Sequence, residues 1–512
     1  MATTAALTAF RESYFDADTL AMGDDGDWGA FEARRLRYDV LWAYYQGNAY
    51  RAIHRWAKKH KADYGLYKYV RDLYNPAFEL GSFYETYIWG GPLDMLAGDG
   101  RAVPSALPII TQNEKLRPAI ATVWRWSNWL TKRKLVNLYG AVLGDVFIQV
   151  VDDPHRGKVY LKIVHPGIVQ DVSLDPFGNV KGYTFEYPRL DAQGKSATYR
   201  ETAERDGDET VITQYRNGQP HDWEPPEGGS PEPERRAPYG FVPLVFIPHR
   251  DVGLTWGMAE AFPRLSLFRE VDDQVSKVDD QIRKLVDAPW LFSGVKKAET
   301  SPSVAGAAAS AETRPEPGRE EIPALYATDP QAKATPLVAP LDIGQVTAHI
   351  QAMLEKMEHV YPELALHRVR AMNNPSGRAV RLLRGEAEGK AVAYRDVYDG
   401  ALARAQQMAV AIGGWRGYPQ FAGFGLESYA AGDLEHQIGA RPVFAQDPLD
   451  EAETELARLT NLKQAVDAGW SLAAYMRYRG YDEDTIAKLE AAPEYQARLA
   501  ALAQLIGGGL DG

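Results

Sequence analysis

Residues 368–395, RVRAMNNPSGRAVRLLRGEAEGKAVAYR, set seven cations against two anions in a chain whose formal net charge is −12. Arg378, Arg381 and Arg384 recur at i, i+3 and i+6, which puts them on one side of a helix. Read by themselves, such cations form salt bridges to the abundant acids of the chain. The complementary acids, Glu270, Asp272, Asp273, Asp279 and Asp280, fall on one face of a second predicted helix. Neither set has the spacing of a catalytic motif. The nearest string to a phosphate-cradling loop, Gly385-Glu-Ala-Glu-Gly389-Lys390-Ala391, is one residue short, ends in Ala and lies inside a predicted helix. The ten histidines are dispersed, and His349, His359 and His367 read as ordinary polar surface. No G-x-S-x-G elbow occurs, and the paired acids Asp152-Asp153, Asp272-Asp273 and Asp279-Asp280 read as solvated turns or helix faces. No cofactor or metal is expected.

Cysteine is absent, which excludes disulfides, thiolate metal sites and a cysteine nucleophile. At 512 residues, with 28 Tyr and 12 Trp, the chain has the apolar mass for several structural units. The first twenty residues lack the basic start and apolar run of a secretion signal, and Leu135 to Val151 is too short and too polar to cross a bilayer. No membrane partner is expected. The acidic balance also argues against tight nonspecific binding of DNA, since that requires many cations displacing counterions from phosphate.

The elements that must carry these charges follow from periodicity. Helices and turns are expected over 28–97, followed by a helix from Pro118 to about Gly140. From Val142 the runs VLGDVFIQVV, GKVYLKIV, GIVQDVSLD, NVKGYTFEY and ETVITQYRN, split by turn residues, predict an antiparallel meander, and FVPLVFIPH adds one more strand. Phe268, Val271, Val275, Val278, Ile282 and Leu285 step by 3 and 4, the spacing of a narrow helical seam. Ile343, Val346, Ile350, Met353, Met357 and Val360 repeat it after a Pro/Ala-rich excursion between Ser293 and Pro340, expected to be extended or loose. Two such helices suit a hairpin whose seams pack on neighbouring copies. Ser376 is placed to cap a long helix from Gly377, RPVFAQ reads as a short strand, and Ala/Leu-rich helices follow from Leu449. The fold class is α+β.

In order and spacing, LVNLYGAVLGDVFIQVV with its strands to YTFEY, FVPLVFIPH leading to WGMAEAFPRLSLFREVDDQVSKVDDQIRKLVDAPWLF, NNPSGRAVRLL, and RPVFAQDPLDEAET resemble a known family. They are similar to the portal (head-to-tail connector) proteins of tailed bacteriophages, siphophage type, from about Arg34 to Gly480. The resemblance implies a ring, usually a homododecamer, at one vertex of the virion and assembled in the host cytoplasm. Its parts would be an N-terminal arm (1–33), a wing (34–257), a first stem helix (258–287), a clip (288–340) and a second stem helix (341–361). A tunnel loop (362–376), a long helix with a wing return (377–448) and a helical crown (449–512) would complete it. The clip departs from the family in being poor in apolar residues. The implied partners are the terminase large subunit, a head-completion adaptor, the major capsid and scaffolding proteins, and double-stranded DNA, passed weakly and without sequence preference. Glu270, Asp272, Asp279 and Asp280 would line the channel and repel phosphate. Arg368, Arg370, Asn373, Asn374 and Arg378 would lie at the tunnel loop and adjoining helix, close to the DNA. The protein would be structural rather than an enzyme. The alternative from another class is a carbohydrate-active hydrolase, with a β-rich domain, paired carboxylates and a Trp/Tyr-lined cleft.

Overall fold

The computed structural model describes residues 28–49, 74–89, 94–96, 102–104, 107–190, 194–222, 231–286, 290–293, 295–297, 325–327, 333–336, 343–367, 377–441, 443–444, 448–478, 486–487, 491 and 493. Two compact units divide at Val443/Phe444. The first begins with α1 (Phe31–Tyr45) and α2 (Ala77–Tyr87), then the short strands β1 (Asp94–Leu96), β2 (Ala102–Pro104) and β3 (Ile109–Ile110). The single helix expected from Pro118 is two, α3 (Leu116–Trp126) and α4 (Trp129–Leu143). Asn128 between them is left-handed, with φ 50°, a conformation asparagine tolerates better than most residues. The α4 helix ends at Gly144, also left-handed.

The expected meander is two sheets. β4 (Asp145–Asp153) pairs with β5 (Lys158–Val164) and with β12 (Leu244–Pro248), all antiparallel. β4 is the middle strand and is buried continuously at its start, hence its unbroken apolar run. The 3-10 turn Pro166–Ile168 then starts a second sheet, so β5 and its successor are not partners. That sheet comprises β6 (Val169–Leu174), β7 (Val180–Leu190), β8 (Ser196–Asp206), β9 (Glu209–Arg216), β10 (Gln219–Pro220) and β11 (Glu234–Ala237), the last two both on β9. Phe147 and Phe246 of the first sheet share one core with Val172, Tyr183 and Phe185 of the second.

The hairpin comes next: α5 (Leu265–Val286), β13 (Trp290–Ser293), β14 (Val295–Lys297), β15 (Leu325–Ala327), β16 (Lys333–Pro336) and α6 (Ile343–Val360). At its tip, β13 pairs with β16 and β14 with β15, both antiparallel and nested. The stretch expected to be loose therefore carries two ladders. At its base, Phe268 and Val271 share a core with Met353, Met357 and Tyr361, and the rings of Phe268 and Tyr361 are 5.8 Å apart. Only the basal half of each seam is buried this way. Val275, Val278, Val346 and Ile350 are half-buried, Ile282 is 41 % exposed, and Val360 turns outward while Tyr361 takes the core position.

After the 3-10 turn Pro362–His367, the 39-residue α7 (Gly377–Trp415) begins at the expected residue. It is followed by α8 (Leu426–Ala431) and by β17 (Gln437–Ile438), which pairs with β3. The strand lies here; of RPVFAQ, Arg441 has no regular structure, Val443 and Phe444 are in bends, and the remaining residues lie outside the described ones. In the second unit, α9 (Pro448–Asp467) and α10 (Leu472–Tyr478) flank Gly469, and Ala473, Met476 and Ile486 form a small core. The chain thus mixes helices with antiparallel sheets. No helix among the described residues is long and apolar enough to cross a membrane.

Candidate functional site

Between β12 and α5 the chain folds back on the end of α4. His249 N donates to Gly144 O at 2.8 Å, Glu260 N to Ala141 O at 2.9 Å, and Gly257 N to Asp145 Oδ1 at 2.7 Å. These bonds deliver the carboxylate of Glu260 to the buried meeting point of the hairpin base, α2 and α7. Its Oε1 accepts from Arg250 Nη2 at 3.0 Å and from Lys390 Nζ; its Oε2 accepts from Tyr394 Oη at 2.7 Å, with His249 Nε2 3.4 Å away. Lys390 also donates to Glu363 Oε1 at 2.8 Å, and Tyr84 Oη donates to the same oxygen at 2.9 Å. Tyr361 Oη donates to the Glu260 carbonyl at 3.1 Å. Lys390, Tyr394 and Tyr398 reach the cluster together because i, i+4 and i+8 share a helix face.

Electrostatics separate the two acids. Burial pushes Glu260 up, but His249, Lys390 and Arg250 outweigh it and hold the carboxyl well below its usual range. For Glu363 burial prevails over Lys390, and the carboxyl lies above its usual range. Burial holds His249 below its ordinary value, hence neutral; with its proton on Nε2 facing Glu260, Nδ1 accepts from Tyr398 Oη at 2.8 Å. The ring also stacks on Tyr394, centroids 4.2 Å apart.

A second buried cluster ties α1 to the start of β4. Tyr38 Oη donates to Asp145 Oδ2 at 2.5 Å, and the guanidinium groups of Arg34 and Arg37 lie 3.3 and 3.6 Å from the rings of Trp256 and Trp28. Burial pushes Asp145 from 3.8 up to about 6, against the pull of Tyr38 and Arg37. The folded chain therefore holds this proton more tightly than the unfolded one, so the group's contribution is full below pH 4 and is lost as pH rises through 6. Comparing urea unfolding of the wild type and Asp145→Asn at pH 4 and pH 7 should show their stability difference changing by about 2 kcal/mol. An unchanged difference would mean that Asp145 titrates normally.

The basic stretch does not act as one patch. Lys390 is committed to Glu260 and Glu363. Arg395 donates to the carbonyls of Tyr87 and Ile88 at the end of α2, and to Arg441 O, where a cation suits the helix dipole. Arg384 is exposed. Arg368, Arg370, Asn373 and Asn374 lie outside the described residues, as does the side chain of Arg378 at the start of α7. Among the acids of α5, Glu270 is exposed and accepts from Gln274 Nε2 at 2.9 Å, and Asp279 is half-exposed. The side chain of Asp280 lies outside the described residues.

Asp272 requires a correction. It is fully buried, and its Oδ1 accepts from Tyr74 N at 2.6 Å. Lying next to the seam residue Val271, it points into the protein and not toward a lining. His349 and His359 are exposed as expected, while His249 and His436 are buried. Sequence reasoning missed Glu260, Glu363, Tyr394 and Tyr398; the one available signal was the Lys-x-x-x-Tyr-x-x-x-Tyr spacing from Lys390. No protein-family model matches the chain, and no curated protein matches it either.

Proposed function

We propose that the chain is one subunit of a portal: a ring, usually of twelve copies, at a single capsid vertex, through which double-stranded DNA is packaged and later ejected. In this reading the nested ladders at the hairpin tip are the clip that docks the terminase large subunit. The α5/α6 hairpin is the stem, the two sheets belong to the wing, and α7 follows the tunnel loop. The ring would also meet the head-completion adaptor and the capsid and scaffolding proteins. Its role is structural, with translocation energy supplied by the motor.

The observation that supports this most is the hairpin itself. Its base lies in the core of its own chain, but its outer half leaves Val278, Ile282, Val346 and Ile350 partly in water. Apolar surface left open on a long projection is best explained by neighbouring copies that cover it. Exposed Glu270 and partly exposed Asp279 suit a passage that must let a polyanion slide, and Asp272 has no part in it. Arg368, Arg370 and Arg378 are proposed to approach the DNA.

Mass photometry of the purified protein with negative-stain imaging tests the reading. The expected result is a ring with a central hole at about twelve times the 56.9 kDa subunit mass. A compact monomer across salt and concentration would defeat it and favour a search for a carbohydrate-binding cleft.

A further inference from the structure

Charge is spread unevenly along this acidic chain. Lys115 to Gly144, the stretch that forms α3 and α4, holds six cations and no acid. Arg117 is paired with Glu114 at 2.9 Å. Among the described residues, no carboxylate pairs with Arg125, Lys132, Arg133 or Lys134. The last three occupy the first two turns of α4, the positive end of the helix dipole, so they add to the field there instead of quenching it. Arg133 is half-buried and its Nη1 is enclosed without a hydrogen-bond partner; burial pushes its pKa down, with no acid to restore it.

The fold gathers further cations at this place. The α3/α4 joint is tight: Asn128 N donates to Arg125 O at 3.3 Å, and Asn128 O accepts from Lys132 N at 3.1 Å. Next to Arg125, the ring of Trp126 meets Tyr418 edge-on at 6.2 Å, and a Cβ on Gly157 of the β4–β5 turn would lie 3.9 Å from Tyr418. Arg156 and Lys158 flank Gly157 and are exposed. The acids beside them are already engaged: Asp152 accepts from Arg416 and Tyr239, and Asp153 is 3.7 Å from Arg156. The helix joint and the turn therefore form one electropositive region with Trp126 and Tyr418 between its halves.

We propose that this region, through Arg125, Lys132, Lys134 and Lys158, binds the phosphate backbone of double-stranded DNA without reading its sequence. These residues are distinct from Arg368, Arg370 and Arg378. Naming DNA as the polyanion rests on the portal reading; the charge distribution does not. Long, exposed cations of irregular spacing suit a sugar–phosphate chain in which every phosphate is alike, whereas a folded acidic partner needs apolar anchors to hold one register. The acidic remainder of the molecule repels DNA, so the contact is local and strongly salt-dependent.

Fluorescence anisotropy of a labelled duplex of about 30 base pairs with the full chain, across about 50 to 200 mM NaCl, tests the assignment. Log affinity should fall against log salt with a slope of about −4, as four phosphate contacts require. Replacing Arg125, Lys132, Lys134 and Lys158 together with Gln should weaken binding at least about tenfold at the lowest salt and flatten the slope by about one unit per cation removed. Lys181→Gln with Lys356→Gln, two cations elsewhere, should change neither. Each substituted side chain is exposed, so the fold is not at stake. A wild type that does not bind, or a quadruple variant that binds as the wild type does, overturns the proposal. Poly-L-glutamate displacing the duplex at equal charge concentration also overturns it, since the surface would then serve an acidic polypeptide. Mass photometry of the same samples separates this inference from the portal reading. DNA binding without a ring keeps the surface and removes the portal; rings whose DNA binding ignores the quadruple substitution keep the portal and remove the surface.

Discussion

Replacing Glu260 with Ala is expected to destabilise the folded chain by about 3–5 kcal/mol, the usual penalty for stranding a buried charge. The carboxylate is 0 % exposed and receives two cations and a tyrosine hydroxyl. The burden does not fall on them equally. The Arg250 side chain is 36 % exposed and can turn toward water, whereas Lys390, at 21 %, is left to Glu363 alone. Adding Lys390→Met should therefore recover part of the loss, since an apolar pair replaces a broken ionic one. The pH dependence has a definite sign. Glu260 lies below its unfolded value, so its contribution is present above about pH 4.5 and disappears only as strong acid protonates it in the fold. Urea unfolding midpoints of the three proteins measure this. A single-variant cost under about 1 kcal/mol would mean that water reaches the cluster and screens it.

Gly144→Ala should be comparably severe, for a reason that involves no charge. Gly144 has φ +95°, and a Cβ there would sit 2.6 Å from Ala259 N and 2.8 Å from Met258 C. Both neighbours are backbone, held by the bonds that deliver Glu260, so neither can rotate away. Strain of about 1–3 kcal/mol adds to an overpacking cost of similar size. Gly253→Ala is the internal control: φ is +78° but nothing lies within 4 Å of the added carbon, so the strain acts alone. Thermal unfolding of both variants should show the larger loss at position 144. Equal losses would show that the contact between 257–260 and α4 yields easily.

The two predictions concern parts of the chain that differ in how legible they are. The hairpin helices and α7 could be read because apolar residues at steps of 3 and 4 write a helix into any stretch long enough to repeat them. The runs that became β4 to β7, β9 and β12 were visible too, but β8 and the ladders at the hairpin tip were not; nor were the sheets, since alternation fixes which face is buried and not which strand lies alongside. The break at Asn128 escaped for want of a Gly or Pro to mark it. The charged cluster was hidden for a different reason. Glu260, Glu363 and Lys390 are far apart in sequence and belong to no motif, and a buried acid looks like a surface one until its partners are placed. Asp272 shows the same limit in reverse, a charge assigned to the surface by type and buried by its position beside Val271.

The nested ladders at the hairpin tip give the molecule a docking port for engineering. β14 and β15 hold Lys297 and Leu325 as register partners, so whatever joins them departs and returns at one place. The closure entropy of such a connection grows only with the logarithm of its length, about 0.6 kcal/mol for each doubling. Epitopes, fluorophores or affinity handles of widely differing size can therefore be spliced between those two residues while the helices beneath keep their register.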